Sequence, residues 1–223
     1  MTSLLRTSRL RLLRHPWLTT LSAVVAVMAV LYFLTAVSVA ELLQPLYDPV
    51  QRTISELAVG HDGWIQVSAF AVLGVGILAL QHGLWRRLRA SLLSRTGLIL
   101  LALCAAATFV AAAFPTDLRG SVAHTLSGDI HAWTASVGYG CLIVGALLLS
   151  LHFRRDEHWR AYHRPSLALA LLGTAASIAM ALTTHTEFLG LTQRVMALPL
   201  LLWVLLTAMR LYTLPPQSAR ARD

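Results

Sequence analysis

The chain has 223 residues, of which 57% are hydrophobic and 13% charged, against roughly 45–50% and 25% in soluble globular proteins. A mean hydropathy of +0.66 implies more apolar surface than one soluble core of this length can hide, so a bilayer is the expected solvent. The formal charge of +8 arises from 18 basic residues, all arginine, against 10 acids. These arginines are spread over short separate segments and do not cluster on one soluble face, which excludes nucleic acid as the expected partner.

A spanning helix needs about 20 mostly apolar residues. In chain order the first such stretch is 17–40. Arg6, Arg9, Arg11 and Arg14 precede it and Ser38-Val39-Ala40 resembles a signal-cleavage site. Its apolar run is nevertheless longer than the ~7–15 residues of a signal core, so a retained helix is expected. The connection 41–63 follows, the longest in the chain at 23 residues. Within it Pro45 and Pro49 enforce a turn around Tyr47 and Asp48. Thr53-Ile54-Ser55-Glu56 has the capping-box spacing, so a short interfacial helix over Thr53–Val59 is expected. Ser55 and Glu56 also place a hydroxyl beside a carboxylate.

The second stretch, 64–84, leads into Arg86, Arg87, Arg89 and Arg95. The third, 96–113, closes at Phe114-Pro115-Thr116-Asp117, and His124, Asp129 and His131 lie before or at the start of the fourth, 130–151. A fourth helix beginning near Ser121 draws His131 into the bilayer, whereas one beginning near Asp129 leaves it at the interface. Arg154, Arg155, Arg160 and Arg164, interleaved with Trp159 and Tyr162, precede the fifth stretch, 165–184. Thr184-His185-Thr186-Glu187 then turns into the sixth, 191–213, with Arg194 about one turn inside it. A charge there is costly in lipid and is expected to snorkel outward or to pair with Asp117, Asp129 or Glu187.

Sorting charge by segment gives the threading. The N-terminal segment 1–16, the loops after the second and fourth stretches and the C-terminal end with tail 214–223 hold 15 of the 18 arginines. Arg52, Arg119 and Arg194 alone fall on the other side, with seven of the 10 acids. Arginine-rich short loops stay in the cytoplasm, so both termini are expected there, as six spans require. Anionic inner-leaflet lipids are the matching partners, each near-surface Arg contributing about 1 kcal/mol. The expected fold is all-α, a polytopic six-helix bundle forming a single domain over 17–213. Cys104 and Cys141 fall within helices 3 and 4 and read as packing residues, not as a disulfide or metal framework.

The candidate chemistry lies at the Arg-poor end. Ser55, Glu56, Asp117 and His124 are the candidate catalytic residues. Tyr47, Asp48, Glu56, Asp117, His124, Glu187 and Arg194 form the candidate ligand-binding set. Asp117, His124, His185 and Glu187 are the available metal donors, zinc being the metal that such residues would hold. His124 and His131, seven apart, stand about 10.5 Å apart along a continuous helix and cannot share one ion unaided.

Tyr47-Asp48-Pro49, Ile54-Ser55-Glu56-Leu57, Phe114-Pro115-x-Asp117, His124, Gly190-Leu191-Thr192-Gln193-Arg194 and Trp203 occur in this order along the chain. That order resembles domain-of-unknown-function family 998, prokaryotic six-span membrane proteins, over about residues 17–213. The resemblance implies the same bundle in a bacterial plasma (inner) membrane and names no activity. Read from its residues, the chain is expected to be a non-catalytic integral membrane protein. Its polar Arg-poor end would bind a lipid headgroup, a small ligand or a membrane-protein partner. The alternatives are a membrane-embedded, metal-dependent hydrolase of a lipid-like substrate and a small transporter. Against transport, the span centres contain almost no ionisable residues.

Overall fold

The computed structural model describes residues 16–121 and 124–215. The calls on segment 1–15 and on tail residues 216–223 lie outside these described residues. Six helices span the fold: α1 (Pro16–Leu43), α2 (Gly63–Arg87), α3 (Leu92–Ala113), α4 (Leu126–Phe153), α5 (His163–Leu182) and α6 (Leu189–Thr213). Two short 3-10 helices, Ile54–Ala58 and Arg160–Tyr162, lie in connections, and the described residues contain no strand. All six long helices are apolar enough to cross a membrane, and the protein is a multi-pass integral membrane protein.

Every helix is apolar on its outward face as well as its inward one. On α1, Ala23, Ala26, Val30 and Phe33 face the core while Leu21, Val24, Met28 and Leu31 point outward. A soluble bundle would carry charge there; hydrocarbon accepts the leucines, and the helix satisfies its own backbone.

Each helix joins its chain neighbours, and α1 meets α6, so the six close into a ring. Small residues set the spacing. A Cβ on Gly76 of α2 would overlap the Ala29 methyl of α1, and one on Gly97 of α3 would lie 2.7 Å from Leu149 of α4. Close approach of this kind replaces the hydrophobic drive that lipid removes.

The helix ends follow local capping, and each of the six long helices starts before the sequence expectation. The Ser91 hydroxyl accepts the Ser94 N–H, starting α3 at Leu92. The Thr125 hydroxyl accepts the Gly128 N–H, starting α4 at Leu126 and not near 130. Phe114 adopts extended backbone before Pro115 and ends α3. At the Arg-rich end, the 154–162 segment is anchored by Trp159, fully buried and stacked at 4.5 Å on Phe153. His82 there bonds Ser22 across α1 and α2 (3.0 Å). Below the middle of the bundle, Leu80, Leu84, Leu101, Leu149 and Leu211 are buried and close the ring.

The packing yields a stability contrast. Gly76→Val should lower stability by about 1–3 kcal/mol through overpacking, read as a lower thermal unfolding temperature in detergent. Gly140→Ala, where no atom lies within 4 Å of the added methyl, should leave that temperature unchanged or raise it.

Candidate functional site

The connection between α1 and α2 folds back as a cap over the Arg-poor end. Asp48 accepts the Val50 N–H at 2.8 Å and closes the proline turn. Tyr47 turns inward, its hydroxyl 2.7 Å from the Thr53 carbonyl, to which it donates. Burial pushes that hydroxyl up to about 12, so it stays protonated and able to donate. The turn Val59-Gly60 leads into α2 with Gly60 at φ +101°, a conformation that glycine adopts without strain.

Arg194 holds the cap in place. Its Nε lies 3.2 Å from the Glu41 carboxylate on the last turn of α1. One terminal nitrogen donates to the Pro49 and Arg52 carbonyls at 2.9 and 3.0 Å, and the other to the Tyr47 hydroxyl at 2.6 Å. The expected partners Asp117, Asp129 and Glu187 are thus replaced by Glu41. The reason is that α1 runs on to Leu43 and sets Glu41 against the first turns of α6, its neighbour in the ring. Gln193 of the same turn accepts the Ile54 N–H at 2.7 Å. Gly190 lets the cap backbone touch α6, since a Cβ there would overlap the Arg52 carbonyl.

Glu56 is 3% exposed and fully engaged. One carboxylate oxygen accepts the Thr53 N–H at 2.6 Å, the return half of the capping box, and the other accepts the Arg119 N–H at 2.7 Å. The expected short helix is present as the 3-10 turn Ile54–Ala58. Asp117 accepts the Thr125 N–H and hydroxyl at 2.9 and 2.7 Å and so sets up the start of α4. Those two bonds hold its carboxyl below the usual range, with His124 adding to the effect. His124, His185 and Glu187 are exposed. The structure therefore brings Tyr47, Asp48, Glu56 and Arg194 into one cap, joins the Asp117 loop to it through Arg119, and leaves the other three outside. Among the described residues, no three His, Cys, Asp or Glu side chains gather to hold a metal ion.

Beneath the cap lies a cavity of about 80 Å³, with wall residues that include Phe33, Ser55, Phe70, Thr108, His131 and Leu200. Because α4 starts at Leu126, His131 falls in its second turn and is 3% exposed. Its Nδ1 lies 2.8 Å from the Phe114 carbonyl and 3.1 Å from that of Ala111, two orphan acceptors at the end of α3. Carbonyls only accept, so Nδ1 carries the hydrogen, and in the neutral ring Nε2 keeps a lone pair. That Nε2 is buried with no hydrogen-bond partner among the described residues. Phe70 packs edge-on against the imidazole, ring centroids 6.1 Å apart.

Two further polar groups lie at the cap end of the bundle, of which Ser55 alone lines the cavity. Ser55 reaches the cavity from the cap and forms no hydrogen bond through its hydroxyl with another described residue. Gln66, one turn from Phe70 towards the cap, is fully buried with both amide atoms unpartnered. Gln66 went unmarked in the sequence, where the signal was an amide inside an apolar spanning run.

The family model described as Protein of unknown function (DUF998) matches residues 26–210, and the chain belongs to this family. No curated protein and no solved structure matches it.

Arg194→Leu leaves the Glu41 carboxylate without its cation and two carbonyls and a hydroxyl without their donor. It should cost about 2–4 kcal/mol, and Tyr47→Phe about 1 kcal/mol, by thermal or denaturant unfolding. His124→Ala and Glu187→Gln should stay within about 0.5 kcal/mol.

Proposed function

We propose that this protein resides in the cell (inner) membrane with both termini cytoplasmic and binds an amphiphilic ligand in the cavity under its extracytoplasmic cap. In this reading a ligand hydroxyl or amide donates a hydrogen bond to His131 Nε2, and its apolar part lies among Phe33, Phe70 and Leu200. The observation that carries it is the buried, unpartnered Nε2 on a cavity wall. An acceptor left unsatisfied in an apolar medium costs about 1–3 kcal/mol, which a donating ligand recovers. Arg86, Arg89, Arg154, Arg155, Arg160 and Arg164 at the opposite end support the orientation and the contact with anionic inner-leaflet lipids.

This reading moves the ligand from the exposed polar cluster to the cavity. Arg194, Glu56 and Asp117 already spend their hydrogen bonds on Glu41 and on cap and loop groups, whereas His131 and Gln66 retain theirs. The dispersal of Asp117, His124, His185 and Glu187 supports a binding mode without zinc. The leucines that close the ring below the cavity favour binding over transport.

The test is photolabelling of the protein in nanodiscs with a diazirine-tagged hexadecanol. Label should appear in peptides of α2, α4 and α6 that line the cavity. His131→Leu should reduce it about fivefold to tenfold, the equivalent of one hydrogen bond of about 1–1.5 kcal/mol, while His124→Ala leaves it unchanged. Label found only on lipid-facing positions, or unaffected by His131→Leu, would refute the reading.

One observation favours hydrolysis as a second reading. Ser55 and His131 face the same cavity, and the imidazole is anchored through Nδ1 with Nε2 free, the polarity of a general base beside a hydroxyl nucleophile. Turnover of a long-chain p-nitrophenyl ester that is lost in both Ser55→Ala and His131→Leu would select this reading; no turnover by the intact protein would eliminate it.

A further inference from the structure

The cavity wall is incomplete in one sector of the ring. Residues of α1, α2, α3, α4, α6 and the cap line it, but none of α5 does. α5 is also the least buried of the six helices.

The reason lies in how α5 is fastened. At the Arg-rich end it is tied to α4. Ser150 of α4 and Ser166 of α5 share a hydrogen bond of 2.5 Å, and the His163 imidazole lies 2.7 Å from the Ser150 carbonyl. The indole of Trp203 donates to Ser166 at 2.8 Å, adding α6 to the same knot. At the Arg-poor end the two helices are bound to different neighbours. α4 is bound to the end of α3 through His131 and through Ser127, whose hydroxyl donates to the Pro115 carbonyl at 2.8 Å. α5 is bound to α6 through Thr183 and Thr192, 2.9 Å apart. Joined at one end and fastened to different neighbours at the other, α4 and α5 hydrogen-bond to each other only at the Arg-rich end among the described residues.

Burial along α4 follows the same course. On the face that carries buried Ser150, Leu147 and Ile143 are half-buried, whereas Gly140, Ser136 and Ala132 are exposed. A methyl on Gly140 would meet no atom within 4 Å. At the Arg-poor end of α5, Leu182 is 79% exposed.

We infer that α4 and α5 splay into a V towards the cap, and that this V is a lateral portal through which one chain of a long-chain amphiphile from the surrounding leaflet reaches the cavity. Its hydrogen-bonding head lies under the cap at His131, and its tail passes out between α4 and α5 into the bilayer. The inference rests on the cavity being the binding site and adds the ligand class and its route. An extended hexadecyl chain is far longer than a cavity of about 80 Å³ holds, so its tail must leave the ring, and α5 bounds the open sector. The cap closes the alternative exit, since it is clamped to α6 by Arg194 and Gln193.

Two diazirine-tagged hexadecanols test this in nanodiscs, one with the carbene precursor beside the hydroxyl and one with it at the chain end. The head-tagged probe should label peptides containing His131 and Ser55. The end-tagged probe should label the facing sides of α4 and α5, around residues 136–147 and 170–182. Gly140→Trp places bulk in the gap at a position with open space, so the variant should keep its thermal unfolding temperature while losing cavity labelling by the head-tagged probe at least fivefold. Val75→Trp, on the exposed face of α2, should change neither. End-tag label confined to the cap or spread evenly over all six helices, or head-tag labelling unaffected by Gly140→Trp, would overturn the portal while leaving the cavity site standing. Absence of head-tag label in the unsubstituted protein would overturn both.

Discussion

The guanidinium of Arg194 ties three parts of the chain together at one point: the end of α1 through Glu41, the proline turn through the Pro49 and Arg52 carbonyls, and the first turns of α6 that carry it. An unpaired arginine one turn inside a span is costly, and the flat fork of five donors allows several acceptors to be satisfied at once. The roof of the cavity exists because these acceptors were drawn over the bundle end. With the cap held there, Ser55 points inward and Glu56 can reach the Arg119 amide of the next loop. The charged residues at this end thus act as fasteners, and the chemistry that remains available is the buried histidine below them.

Two histidines seven residues apart on adjoining segments have opposite environments. His124 lies in the loop and is exposed, so bulk water satisfies it. His131 ends up beneath the last carbonyls of α3, which take its Nδ1 hydrogen and orient Nε2 away from the backbone. The difference comes from Asp117, whose carboxylate grips Thr125 and lets its hydroxyl start α4 there. A loop aspartate that touches no cavity therefore sets the register of the residue that does.

The six helices were legible in the chain because lipid imposes a length and an apolarity that leave few alternatives. The capping box at Thr53–Glu56 was legible for a similar reason, being local chemistry at fixed spacing. The site was not. Arg194 was recognisable as a buried charge in need of a partner, but the identity of that partner depended on how far α1 extends beyond Ala40 and on α1 and α6 closing the ring. Neither is a property of neighbouring residues. His131 hinged on a helix start displaced by about one turn. Gln66 looks like an ordinary interruption of an apolar run until the cap is folded over it. Residues visible in sequence as polar and clustered proved to be bonded to one another or exposed, and those with unsatisfied groups were isolated in apolar surroundings.

The close approach of α2 to α1 at Gly76 and Ala29 also bears on how the bundle divides its stiffness. A glycine in such a contact has no side chain to rearrange, so a displacement of α2 towards α1 meets Ala29 directly, and one of α3 towards α4 meets Leu149 at Gly97 in the same way. α5 is fastened to α4 at Ser150 and Ser166, and to α6 at Trp203, at Gly173 against Leu200 and at Thr183 with Thr192. Strain between α4 and α5 is therefore borne at the serine pair, whereas α5 and α6 share it along their length.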